Sequence, residues 1–219
     1  MRLYFLFRSS HPGPTLLVTW IAYLLSLRLW WEGPSYVIAF TIFTGQLCIG
    51  LTNDLIDRQR DLDQGRKNKP LASGKVSVRE VKITTYISLT LCVAFSLFGP
   101  LGLRGGFVHL LFVGCGIAYN FYFKSMWLSL LPYAVGFAAL PSSIILSKSS
   151  TVPLWVIATG ALSGIAAHFI NVLKDMEQDR KAGINGLPQI FGKRLSIFTA
   201  IILVLLVVAI LINFGSTNF

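Results

Sequence analysis

Acidic residues are scarce in this chain, nine against nineteen lysines and arginines, and charged residues of both signs make up only 13% of its 219 positions. So little charge beside 54% apolar residues, with a positive mean hydropathy, excludes a water-soluble domain and a disordered chain alike. Cysteine is equally sparse. Cys48, Cys92 and Cys115 stand singly inside apolar segments, without ligand spacing or partners, which excludes a disulfide framework or a thiolate metal centre and leaves small core residues. A cleavable leader is not expected either, because Arg2 and Arg8 enclose too few apolar residues for a signal-peptide core.

What is present is apolar length. Seven runs are long enough to cross about 30 Å of hydrocarbon: Thr15–Trp31, Ser35–Thr52, Ile83–Leu103, Gly105–Phe123, Ser125–Ser147, Ser149–Ile170 and Leu195–Phe214. The fold class that follows is an all-α integral membrane bundle. The formal charge of +10 does not point to nucleic acid, since the basic residues follow the membrane. With the N-terminus in the cytoplasm and seven crossings, sixteen of the nineteen fall on the cytoplasmic side, and only Arg28, Arg104 and Lys148 lie near the outer face. That topology places residues 215–219 outside and the protein in a bacterial plasma membrane.

The few carboxylates need a reason to be there, because Asp and Glu do little to orient a membrane protein. Asp54, Asp57, Asp61, Asp63 and Glu80 follow the second run; Asp175, Glu177 and Asp179 follow the sixth. In each cluster a polar residue and two carboxylates recur every fourth position: Asn53, Asp57, Asp61 and Asn171, Asp175, Asp179. This spacing sets them on one helical face, where like charges repel by a few tenths of a kcal/mol per pair unless a cation offsets them. Hard oxygen donors, one or two carboxylates per ion, suit Mg²⁺, which takes further ligands from water and phosphate. A solvated loop explains one such stripe about as well; two copies favour the metal.

The two loops are copies. Shifting the sequence by 118 positions superposes Asn53, Leu55, Asp57, Asp61, Gly65, Pro70, Gly74 and Lys75 on Asn171, Leu173, Asp175, Asp179, Gly183, Pro188, Gly192 and Lys193, eight matches in 23 positions where average composition gives roughly one or two. Gly65 and Gly183 are expected to end helices, and Pro70 and Pro188 to keep the helix from resuming within the loop. Four runs separate the copies, so both lie on one side and the repeat is parallel, in halves of about 14–124 and 125–219 within a single domain spanning 1–219. A pocket lined by both stripes beneath a hydrophobic bundle fits a diphosphate head on a hydrocarbon tail.

Asn53-Asp54-Leu55-Ile56-Asp57-Arg58-Gln59-Arg60-Asp61, with Arg66 and Lys69-Pro70-Leu71-Ala72-Ser73-Gly74 behind it, resembles the signature loop of the UbiA-type intramembrane prenyltransferases. Asn171 to Asp179 resembles their second signature loop, and Tyr119 to Lys124 a weaker tyrosine–lysine element on the fourth helix. The resemblance implies a UbiA-like helical barrel, an isoprenyl diphosphate donor and a lipophilic or aromatic acceptor. It further implies Mg²⁺ on Asn53, Asp57, Asp61, Asp175 and Asp179, the four aspartates being the catalytic set. Arg66, Lys69 and Lys124 would grip the diphosphate, Tyr119 would bond it or shield the cation, and Asn171 would support the second stripe. An inactive isoprenoid-lipid binder and a small transporter are the alternatives; no helix centre carries the charge a transporter would use.

Other polar residues carry less. Tyr119 also reads as an ordinary interfacial tyrosine. His168 falls near the face of Asn171, yet a lone intramembrane histidine more often bonds between helices; His11 and His109 have no such neighbours. Asp54 and Asp63 are expected to pair with Arg58, Arg60 or Lys67. Two departures from the family pattern stand out: only one run follows the second motif, where about nine helices are usual, and Asn171 replaces an acidic residue common in relatives. The seventh run should then occupy the place that the third holds in the first half, leaving an apolar flank open to lipid or closed by self-association into a homo-oligomer.

Overall fold

A computed structural model describes residues 1–181 and 183–215; the expected outward segment 216–219 lies outside them. Nine helices follow one another among the described residues, with no strand: α1 Arg2–Ser9, α2 Pro12–Ser26, α3 Glu32–Asp63, α4 Val78–Phe98, α5 Gly102–Phe121, α6 Leu131–Ile145, α7 Leu154–Leu173, α8 Met176–Lys181 and α9 Leu187–Phe214. Two short 3₁₀ turns, Phe123–Ser125 and Trp127–Leu130, lead into α6.

Among the described residues six helical segments, not seven, are long and apolar enough to cross a membrane: α3, α4, α5, Trp127–Ile145, α7 and α9. The expected run that falls short is the first, Thr15–Trp31, which coincides with α2, whose 15 residues reach only ~22 Å at 1.5 Å per residue. With the turns after it, α2 still connects both ends of the bundle. His11, at its start, bonds Asn53; beyond its end, Trp30 donates to the Ser147 hydroxyl at 2.8 Å, and the Lys148 ammonium sits 3.7 Å from the Trp30 ring centroid. Its buried positions, Thr15, Val18, Ala22 and Ser26, are the three- and four-residue steps of one helical face, while Leu16, Leu17, Trp20, Ile21 and Leu24 face outward.

Large apolar side chains cover the outside of α4, α5 and α9 as well, the surface of a protein whose solvent is lipid. Inside, Ile38, Ile42, Cys92, Phe112, Val113 and Ile144 form the main core. Contact between helices there depends on small residues: Gly160 and Gly164 of α7 lie so close to the Phe137 and Tyr133 carbonyls of α6 that neither has room for a Cβ.

The internal repeat is visible in the backbone. At the end of α3, Gly65 (φ +62°) donates to the Leu62 carbonyl and Arg66 to that of Asp61; at the end of α8, Gly183 (φ +73°) donates to Arg180 and Ile184 to Asp179. Both copies thus close with the same left-handed glycine cap, and in both the capped carbonyl belongs to the last aspartate of the motif. The following pair, Gly74 and Gly192, has positive φ too, at +74° and +78°, and Gly192, with ψ 169°, kinks α9 after its first turn. One expectation fails here: Pro188 begins a helix instead of blocking one, since it occupies the first turn of α9, where its missing N–H costs nothing. As the repeat requires, α9 packs on α7 as α4 packs on α3.

Candidate functional site

An α-helix of 32 residues is ~48 Å long, more than a bilayer core needs, so the last turns of α3 project beyond it. These turns carry the first acidic stripe. Asp57 and Asp61 are buried, at 6% and 2% exposure, and Asn53 is half-buried. The second stripe is not one continuous helix. α7 stops at Leu173, Lys174 and Asp175 form a turn, and α8 then carries Asp179, whose amide donates to the Asp175 carbonyl at 2.8 Å. Asn171 remains on α7, exposed, and donates to the Tyr133 hydroxyl at 3.3 Å instead of joining the carboxylates.

One side chain spans the two copies. The Arg66 guanidinium lies 3.5 Å from Asp61 of the first motif and 3.5 Å from Asp175 of the second, and it donates to Gln178 between Asp175 and Asp179. Lys124 and Arg60 both reach Asp57 at 2.5 Å; Lys69 pairs with Asp54 at 2.7 Å and stands 3.9 Å from Asp61. Burial pulls the Lys124 ammonium down from its ordinary pKa against the opposing pull of Asp57, and it pushes the Asp179 carboxyl up, opposed by Lys124 and Arg60. Asp179 also accepts from the Gln189 amide at 3.2 Å.

Side chains that the sequence reading set aside belong to this cluster. His11 is one, with its ring 3.1 Å from Asn53. Asn120 is another: it receives a bond from Asn53 at 3.1 Å and donates to the Ile49 carbonyl at 3.0 Å. Asp54 pairs with Lys69 and not with the three cations expected, while Asp63 accepts from Gln59. Tyr133 went unnoticed because it looks like any aromatic residue of an apolar run. It meets Tyr119 edge-on at 4.9 Å between centroids and lies 4.7 Å from the His168 ring. His168 does bond between helices, to Ser129 at 3.0 Å; Ser129 in turn accepts from the Leu187 amide at the start of α9.

Among the described residues, no three Asp, Glu, His or Cys side chains gather closely enough to hold a metal ion; cations stand between the carboxylates. The donor chemistry fits a hard divalent ion nonetheless. Asp54 Oδ2 and Asp61 Oδ1 are buried without a hydrogen-bond donor, the state of an acceptor that a cation would satisfy.

The model of the UbiA prenyltransferase family matches residues 14–219. The chain belongs to that family. It is therefore an integral membrane protein and a prenyltransferase. A 4-hydroxybenzoate octaprenyltransferase of Shewanella woodyi is 29% identical to it over 198 residues, which span 85% of this chain and 67% of that one. The structure of a UbiA homologue from Archaeoglobus fulgidus bound to GPP and Mg²⁺ superposes with a TM-score of 0.75 at 18% identity, covering 98% of this chain and 79% of the other. An apo UbiA homologue from Aeropyrum pernix K1 gives 0.74 at 17% identity, covering 100% and 82%. At such identities the superpositions show the fold.

Proposed function

We propose that this UbiA-family chain transfers a prenyl group from an isoprenyl diphosphate to a lipophilic or aromatic acceptor, using Mg²⁺ held by Asn53, Asp57, Asp61, Asp175 and Asp179. The observation that carries the proposal is Arg66, one cation in contact with both copies of the acidic motif. When bound, the metal would neutralise charge on the departing diphosphate. Arg66, Lys69 and Lys124 would exchange their carboxylate partners for diphosphate oxygens and so favour departure of the leaving group as its charge grows. The rings of Tyr119 and Tyr133, in edge-on contact with each other, would flank the allylic carbon and exclude water. Asn171 would hold the Tyr133 hydroxyl and so act on the ring rather than on the metal.

The relative's name makes 4-hydroxybenzoate the first acceptor to try, and the homologues' ligands, GPP among them, the first donors. An apolar groove of about 240 Å³ between α7 and α9, lined by Ile170, Leu173, Ile197 and Val204 among others, faces the hydrocarbon and would admit a lipophilic acceptor sideways. On this reading both loops and the N-terminus would face the cytoplasm, the side favoured by the Lys and Arg distribution and the one where diphosphate is available. The test uses purified protein in nanodiscs with geranyl diphosphate and 4-hydroxybenzoate. Mg²⁺-dependent release of pyrophosphate with a matching prenylated product supports the proposal. Tight donor binding without product, across donors and acceptors, would overturn it in favour of an inactive binder.

A further inference from the structure

A cavity of about 480 Å³ lies away from the acidic site. It opens between α1, the flank of α3 and the turn that leads into α4, and its lining includes Arg2, Arg58, Lys75, Ser77 and Glu80. None of these belongs to the acidic cluster. Three cations face one carboxylate, and that carboxylate is already engaged: Glu80 accepts from the Ser77 amide and hydroxyl, both at 2.7 Å, closing the start of α4, and its other oxygen lies 3.4 Å from Arg2. The Lys75 ammonium lies 5.1 Å from the Phe5 ring centroid and, among the described residues, pairs with no carboxylate. Among the described residues Arg58 pairs with no carboxylate, and its Nε is buried without an acceptor. A cavity with surplus donors and a buried orphan N–H lacks an anion of several oxygens.

The surroundings say which anion. Below the cavity, Ile83, Tyr86 and Ile87 of α4 are exposed and apolar, and beside it α1 exposes Leu3 and Tyr4 while Phe5 and Leu6 pack against Leu51 and Val81. Basic residues above an apolar rim mark the depth of lipid phosphates at a membrane surface. We propose that this cavity binds the phosphate of an anionic phospholipid headgroup, with the acyl chains running along α4.

The experiment measures thermal unfolding of the detergent-purified full chain with added short-chain phosphatidylglycerol, phosphatidylcholine or inorganic phosphate. Phosphatidylglycerol is expected to raise the unfolding temperature of the parent protein. The R58A/K75A variant is expected to lose that rise, and the charge-matched control K181A/K193A, on exposed lysines remote from the cavity, to keep it. A full rise in R58A/K75A, or no rise in the parent, overturns the proposal. An equal rise with inorganic phosphate assigns the cavity to a soluble anion and overturns the lipid reading. Should R58A/K75A fail to fold, R58Q alone decides, by the phosphatidylglycerol that survives purification: unchanged retention refutes, loss supports.

Discussion

His11 is the one non-glycine residue among those described whose backbone is left-handed, at φ +57°, and a chain of amide orientations shows what that strain secures. The Ile49 carbonyl accepts only from an N–H, so it fixes Asn120 with Nδ2 inward; Asn120 Oδ1 then faces Asn53 Nδ2, and Asn53 Oδ1 faces His11 Nε2. The imidazole must therefore donate from Nε2. Lys69, 3.4 Å from the same nitrogen, is engaged with Asp54. Burial first, then Lys69, pulls the imidazole pKa down to about 4, so the ring is neutral at pH 7 with a single proton for that bond. Replacing His11 with Gly relieves roughly 1–2 kcal/mol of left-handed strain and removes a hydrogen bond worth about 0.5–1.5 kcal/mol net. The two nearly cancel, so the H11G protein should unfold within ~1 kcal/mol of the parent. Activity has no such compensation. Asn53 loses the donor that orients it, and a bond of that size corresponds to a fall of roughly 2- to 10-fold. The fall should appear as a higher Mg²⁺ requirement as well as slower turnover, and His11→Gln, which keeps an N–H donor, should recover part of both. Full activity in H11G over a Mg²⁺ titration, or H11Q no better than H11G, would refute the reasoning.

Asp57→Ala and Asp175→Ala should each reduce turnover at least 100-fold, on the order expected when an electrostatic group of the transition state is lost, while circular dichroism stays native; comparable activity in either removes the two-motif site. Arg66→Ala, which unlinks the copies, should raise the donor KM, measured by steady-state pyrophosphate release. Gly164→Leu has no room beside the Tyr133 carbonyl and should lower detergent stability by a few kcal/mol through separation of α6 from α7; unchanged thermal unfolding contradicts the close approach. Single cysteines at 65 and 183 should label from the same face of the membrane in intact cells, and opposite faces would break the parallel repeat.

Much of this arrangement is legible in the sequence because it rests on periodicity. The apolar runs give the helices, and the 118-residue shift finds both caps. Length is where counting runs misleads: Thr15–Trp31 looks like the others, yet its helix stops at Ser26. The second stripe reads as one helical face because spacing of four implies a helix, and nothing in the residues Lys174 and Asp175 announces the turn between α7 and α8. His11 and Tyr133 stay hidden for a different reason. Each reaches the acidic cluster through tertiary packing that no local pattern shows, His11 where the chain before α2 rests on Gly50, which has no room for a Cβ beside Ser10, and Tyr133 through the close approach of α6 to α7.

The duplication kept its glycine caps and divided its chemistry. Both copies retain the two aspartates and the glycine cap that turns the chain behind them. The cations are not duplicated: where the first copy has Arg66 and Lys69, the second has Ile184 and Leu187, and Ile184 is buried. Lys124 comes from the turn after α5 and pairs with the first motif as well. Positive charge is thus collected around Asp57 and Asp61, while Asp175 and Asp179 receive one arginine and two glutamines, Gln178 lying between them and Gln189 bonding Asp179. If two identical loops each bound half of a symmetrical ligand, the cations should be distributed evenly. Their one-sided placement fits a ligand with a concentrated anionic end, held against the first copy, and a less charged remainder directed toward the second, whose flank carries the tyrosines, His168 and the apolar groove along α9.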